Sequence, residues 1–167
     1  PIGSNGSYLV PLIFNQSTTT PNNSVQPSFG SVVFDSGATY SSILGGTGNK
    51  MYSNYSSIGG GAGNDLKSSL SIIGGGKSNQ ISASTTSVIS GGEKNTILGS
   101  TRGAILGGKE NIVRANYGVV GGGRNNDVID SSYYSSIFGG AGNIIDESAF
   151  SFIGGGGANY MSGGDYH

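Results

Sequence analysis

The sequence contains no cysteine, so no disulfide can staple it and no thiol chemistry is open to it. Its four prolines, Pro1, Pro11, Pro21 and Pro27, all fall near the beginning. Proline cannot donate a ladder hydrogen bond, and its absence from the rest of the chain favours uninterrupted sheets there. Charged residues make up 10% of the chain, well under the usual quarter. The net charge of −1 argues against nucleic acid as a partner. No stretch of eighteen apolar residues occurs, so no membrane span is expected. The one histidine is His167, the last residue, which leaves a Ser-His-Asp site without its base. No initiator methionine precedes Pro1, and Gly164-Asp165-Tyr166-His167 reads as the opening of a further repeat. The chain therefore reads as a piece of something longer.

Glycine is abundant instead, 33 of 167 residues, but without the Gly-X-Y period of collagen. It belongs to a repeat running from Tyr40 to Met161. Each copy reads roughly aromatic-Ser-x-Ile-x-Gly-Gly-x-x-Asn-x-apolar. The anchors are Asn49, Asn64, Asn79, Asn95, Asn111, Asn126, Asn143 and Asn159, spaced by 15, 15, 16, 16, 15, 17 and 16 residues. A short fixed period dictates the fold.

Six residues before each asparagine stands a β-branched residue, from Ile43 to Ile153; two after it stands an apolar one, from Met51 to Met161. Eight before it the residue is always small, as at Ser41, Ser87 and Gly103. β-Branched residues fit a pleated strand, and alternate strand residues share a face. The small residue, the β-branched one, the asparagine and the second apolar one are thus expected to point inward. Gly-Gly supplies a corner, where positive φ or close backbone approach is needed. A buried amide must find partners, here turn backbone and the asparagines above and below, which makes the eight asparagines a structural ladder. Helix is excluded by glycine content and by the lack of a 3.6-residue stripe. The expected fold is all-β, a parallel β-solenoid (β-roll) of about eight coils. At about 4.8 Å per coil the rod is roughly 38 Å long.

Residues 1–34 form a separate, uncharged arm and linker ahead of the solenoid at 35–167. Ser7 to Phe14 is an extended apolar segment, and Asn15 to Gln26 is polar linker. Left in water, Leu9, Val10, Leu12, Ile13 and Phe14 would be an apolar patch. They are candidates for an assembly arm that docks on a neighbouring rod and joins subunits end to end into a filament. The alternative is that the arm folds back and caps its own first coil. Ser31 to Phe34 reads as a strand leading into that coil.

Charge is uneven along the repeats. Lys77, Lys94, Arg102, Lys109, Arg114 and Arg124 give a basic middle, a candidate contact for anionic cell-surface glycans. Asp127, Asp130, Asp146 and Glu147 follow, and they are the acid pairs that a polysaccharide depolymerase would need. On a solvated face such acids serve solubility, and no enzyme, cofactor or metal is expected. Gly60-Gly61-Ala62-Gly63-Asn64-Asp65 spells a calcium-roll signature. Its acid is not repeated, however, for Lys50, Gln80, Thr96, Ile112 and Ile144 stand in its place. Gly74-Gly75-Gly76-Lys77-Ser78 lacks the early glycine and the helix of a phosphate loop. The outward columns lack the threonine rows that an ice-binding face would show.

The motif Ile-x-Gly-Gly-x-x-Asn-x-Ile preceded by Tyr-Ser-Ser, over residues 40–161, resembles the coil repeats of trimeric autotransporter adhesin heads. It is also similar to glycine-asparagine coils of bacteriophage tail fibres. The resemblance implies a β-roll in three parallel chains and a non-enzymatic role at a cell or virion surface. A homotrimer follows from the residues as well. One coil offers two large apolar side chains, a thin core for a free-standing rod without disulfides. Association would add the missing burial, through the aromatic column at Tyr40, Tyr55, Tyr117, Tyr134 and Phe150 and the residues flanking the Ile column.

Overall fold

The computed structural model describes residues 33–34 and 38–164. The arm residues Leu9, Val10, Leu12, Ile13 and Phe14 lie outside this range, as do the linker and His167. Within it the chain is a parallel β-solenoid. Seventeen strands, β1 (Val33–Phe34) to β17 (Tyr160–Ser162), alternate between two sheets among the described residues. The odd-numbered strands form one sheet, β1-β3-β5 and onward; the even-numbered ones form the other. All pairing is parallel, each strand with its counterpart one coil away. Val33–Phe34 pairs with Lys50–Met51, so the segment before the first repeat already sits in the odd sheet.

Each strand has only two or three residues, and the burial alternates as the sequence pattern requires. The β-branched column and the second apolar column point inward from facing strands, and Ile58, Ile73, Ile97 and Ile105 are completely buried. Each side chain so buried contributes about 1.5–3 kcal/mol. With two per coil, the core is one side chain thick on each side. Ile153 and Met161 mark where it opens at the last described coil.

A third ladder joins the coils at single residues: Thr47, Ala62, Lys77, Glu93, Lys109, Arg124, Ala141 and Gly157 pair in succession. It has no hydrophobic signature and was invisible to pattern reading. The coil therefore has three sides. Two are strands, and the third is a short step between the Gly-Gly corner and the asparagine.

Interior ladders and outer faces as candidate functional sites

The asparagine corner recurs at every described coil, with a direct amide-to-amide bond at some levels. Asn95 represents it. Its Nδ2 donates to Gly91 O at 3.0 Å and to Gly108 O of the next coil at 3.1 Å. Its Oδ1 accepts the backbone N–H of Asn111 at 3.1 Å and the Asn111 Nδ2 at the same distance. Its own N–H goes back to Asn79 Oδ1 at 3.0 Å. Each buried amide thus ties three consecutive coils, with no donor or acceptor left over. Asn49 to Asn143 are completely buried, while Asn159 in the last described coil is exposed. The second glycine of each pair makes room for this. Gly92 has φ of 95°, and a Cβ there would meet Gly108 O at 2.2 Å and Asn95 Nδ2 at 2.5 Å. Here glycine is required for both conformation and space.

The opposite corner is held by serines. Ser41 Oγ donates to Ser53 O at 2.7 Å and accepts Ser56 N–H at 3.2 Å. Ser56, Ser71 and Ser87 continue the chain of bonds. A second small column, Ser53, Ser68, Ser84, Ser100, Ala115, Ser132 and Ser148, is also buried. Column reading missed it because its distance from the anchor slides. It stands four residues after Asn49, five after Asn79 and six after Asn126. These offsets match coil lengths of 15, 16 and 17 residues, so all variation in coil length is taken up between the second strand and this serine. In the longer coils the strand has three residues, and the one after it turns left-handed: Ala83 at φ 50°, Gly99 at 68°, Asp130 and Glu147 at 47°.

Two outer faces carry opposite chemistry. The even sheet exposes Leu44, Ile72, Leu106, Phe138 and Phe152. At its border lies the aromatic column, whose members all have positive φ, from 53° at Tyr40 to 59° at Arg102. Side chains there stand straight above one another. Tyr40 and Tyr55 stack at 5.0 Å and 9°, Tyr117 and Tyr134 at 4.4 Å and 13°, Tyr134 and Phe150 at 5.2 Å and 8°. Arg102 is the one charge on this face among the described residues. It lies over Tyr117, 5.4 Å from the ring centre, and donates to its hydroxyl at 2.6 Å.

The other described charges sit on the odd sheet, on the third ladder, at the corner between these two and, for Asp130 and Glu147, at the variable corner. The six basic residues singled out in the sequence do not converge. Lys77, Lys109 and Arg124 share the third ladder with Glu93 interposed, and Lys109 pairs with Glu93 at 3.6 Å. Lys94 occupies the neighbouring corner and pairs with Glu110 at 3.6 Å. Arg114 faces out from the odd sheet, and Arg102 is on the apolar face. Of the acids, Asp127 and Asp146 lie in the odd sheet, and Asp130 and Glu147 at the variable corner. Asp127 stands in register between Ile112 and Ile144, and burial there raises its pKa, opposed by Arg114. Asp65 forms a 2.8 Å pair with Lys67 and raises the lysine's pKa, first through that hydrogen bond and then through its charge. Among the described residues no three acidic, histidine or cysteine side chains gather as a metal site. No described helix is long and apolar enough to cross a membrane.

No known protein family matches the chain, and no curated protein does.

Proposed function

We propose that this chain is a structural fibre module: a rod displayed at a cell or virion surface, working by shape and adhesion rather than by turnover. The fold is consistent with a non-catalytic structural solenoid, whose repeat stacks into a stiff body of any length. We further propose that three copies associate through the even sheet. One observation carries this reading. Among the described residues the even sheet presents a face of apolar, glycine and hydroxyl side chains with a single charge, Arg102, while the rest of the described surface carries mixed charge. Soluble proteins do not leave such a face to water. Covering it adds the burial that a core of two aliphatic side chains per coil lacks. Adhesion falls to the remaining surface. Lys77, Lys109 and Arg124 on the third ladder are the strip that an anionic glycan would follow.

Light scattering on the purified chain tests the assembly, with three times 16.7 kDa expected. A stable monomer at micromolar concentration contradicts it. Glycan-array binding that falls with salt and with Lys77→Ala and Arg124→Ala tests the adhesive strip; unchanged binding removes that role from it.

A further inference from the structure

The even face is not flat, and its relief repeats. It has three columns: the aromatic corner on one border, the outward strand residue in the centre, and the residue after the strand on the other border. Where the first border is bulky, the second is often empty at the same coil. Tyr55 shares its coil with Gly59, Leu70 with Gly74, Tyr117 with Gly121 and Phe150 with Gly154. Thr86 and Ser90 are both small. Inside one chain these partners are on opposite borders and do not meet. For Gly59, Gly74 and Gly121 a Cβ would meet the next coil's carbonyl oxygen at 2.2–2.4 Å, so these hollows are fixed by the backbone.

We infer that three copies pack parallel and in register, each seating its corner column on the hollowed border of the next copy at the same coil. This rests on the homotrimer proposed above and states how it is built. Rotation by a third of a turn brings the first border of one chain against the second border of its neighbour without changing level. Three large side chains then meet three open glycines, and Phe150 meets Gly154 with the Phe152 ring beside it. Tyr40 meets Leu44 and Tyr134 meets Phe138, apolar on apolar. Arg102, its guanidinium already over Tyr117, lays its stem on Leu106. The central column faces the axis, where three chains converge and space is least. It divides between small residues, Ser42, Ser57, Ala104 and Ser136, and apolar ones, Ile72, Val88, Val119 and Phe152, which would pack together around that axis. An antiparallel pair fits worse. It places Phe138 over Gly59 but sets Tyr55 against Tyr134 and Leu70 against Tyr117, and it leaves Gly74 opposite Gly121.

The chain has no cysteine, so introduced thiols report contacts directly. In the double variant Thr86→Cys/Ser90→Cys two exposed small residues are replaced by another small one. Within one chain the two positions are about 13 Å apart along an extended strand, beyond disulfide reach. Every disulfide formed is therefore between chains. Mild oxidation should convert most of the double variant into a covalent trimer on a non-reducing gel. Each single variant should give no trimer, and the mixed singles should give a dimer. Thr86→Cys/Phe138→Cys, mismatched by three coils or about 14 Å, should stay uncross-linked. Scattering at three chain masses with no matched cross-link, or with an equally good mismatched one, overturns the packing while the homotrimer stands. A folded monomer overturns both. Should the double variant not fold, co-refolding the two single variants decides the same question, with a mixed dimer expected and its absence overturning the packing.

Discussion

The two interior corners of the coil solve the same problem with different tolerance. At the asparagine corner nothing varies. The spacing from the β-branched residue through Gly-Gly to the asparagine and the next apolar residue is constant over all eight copies. At the serine corner one, two or three residues intervene, and Ala115 and Gly118 stand where other coils have serines. The difference follows from bond number. An asparagine side chain carries four or five inter-coil or turn bonds at most levels, as at Asn143, and needs a glycine beneath it; a corner serine hydroxyl such as Ser56 carries three at most and tolerates loss. Register is fixed at one corner, so the other is free to accommodate insertions.

Inserting one residue breaks or sharpens this contrast most strongly. A glycine placed between Lys109 and Glu110 displaces Asn111 from its ladder and turns Val113 outward, because a slip of one reverses every strand side chain. Loss of cooperative unfolding, followed by circular dichroism, is expected. The same glycine placed between Arg114 and Ala115 converts a 15-residue coil into the 16-residue form already used elsewhere. It should cost about 1 kcal/mol or less. Next in size, Asn111→Ala leaves Gly107 O and the Asn126 N–H without partners and Gly123 O with only the Lys109 N–H. About 4 kcal/mol of stability should be lost in urea titration. Asn159→Ala, at an exposed position, should cost under about 1 kcal/mol. Glycines divide in the same way. Gly123→Ala drives a Cβ to 2.1 Å from Gly140 O at a φ of 85°, for an expected loss of about 3 kcal/mol. Gly107→Ala meets nothing within 4 Å and should change stability by about 0.5 kcal/mol at most.

The smallest effect lies outside both corners. Burial raises the pKa of Asp127 above its unfolded value, so the folded chain holds that proton more tightly. The carboxylate therefore weakens the fold at neutral pH, and stability is regained as pH falls through the folded pKa toward the unfolded one. Asp127→Asn should raise stability at pH 7 by less than about 1 kcal/mol, because solvent screens this partly exposed group. The gain should vanish below about pH 4, as the wild-type carboxyl protonates in both states. A gain that persists at pH 3 would show that charge is not the cause.

Sequence alone exposed the asparagine corner because a ladder of obligatory contacts imposes an obligatory spacing. Ile43, Asn49 and Met51 recur as one rigid word, and the fold class follows from it. The serine column at Ser53, Ser84 and Ser132 escaped because it keeps step with the next coil, three residues ahead of the following small residue, and not with its own anchor. The third ladder escaped because a single paired residue leaves no periodic trace. Left-handed tyrosines at the corner escaped because a bulky side chain with positive φ is uncommon; only the column showed that the position is shared. The outer face of the even sheet was legible as an aromatic column and the residues flanking the Ile column. The scatter of its basic counterparts over three sides was not, since a count along the chain does not say which side a residue faces.

The inter-coil bonds of the asparagine ladder all join neighbouring periods, between 12 and 17 residues apart in sequence. A finished coil therefore offers its successor a complete mould: an acceptor in Oδ1, a donor in Nδ2 and a groove lined by two aliphatic side chains. Chain emerging slowly from a ribosome or a secretion pore need not wait for its far end. It can crystallise one layer at a time onto what has already set, and each new layer resists backsliding. The same property makes length easy to change. Duplicating one period within the gene lengthens the shaft by one layer and disturbs no other contact.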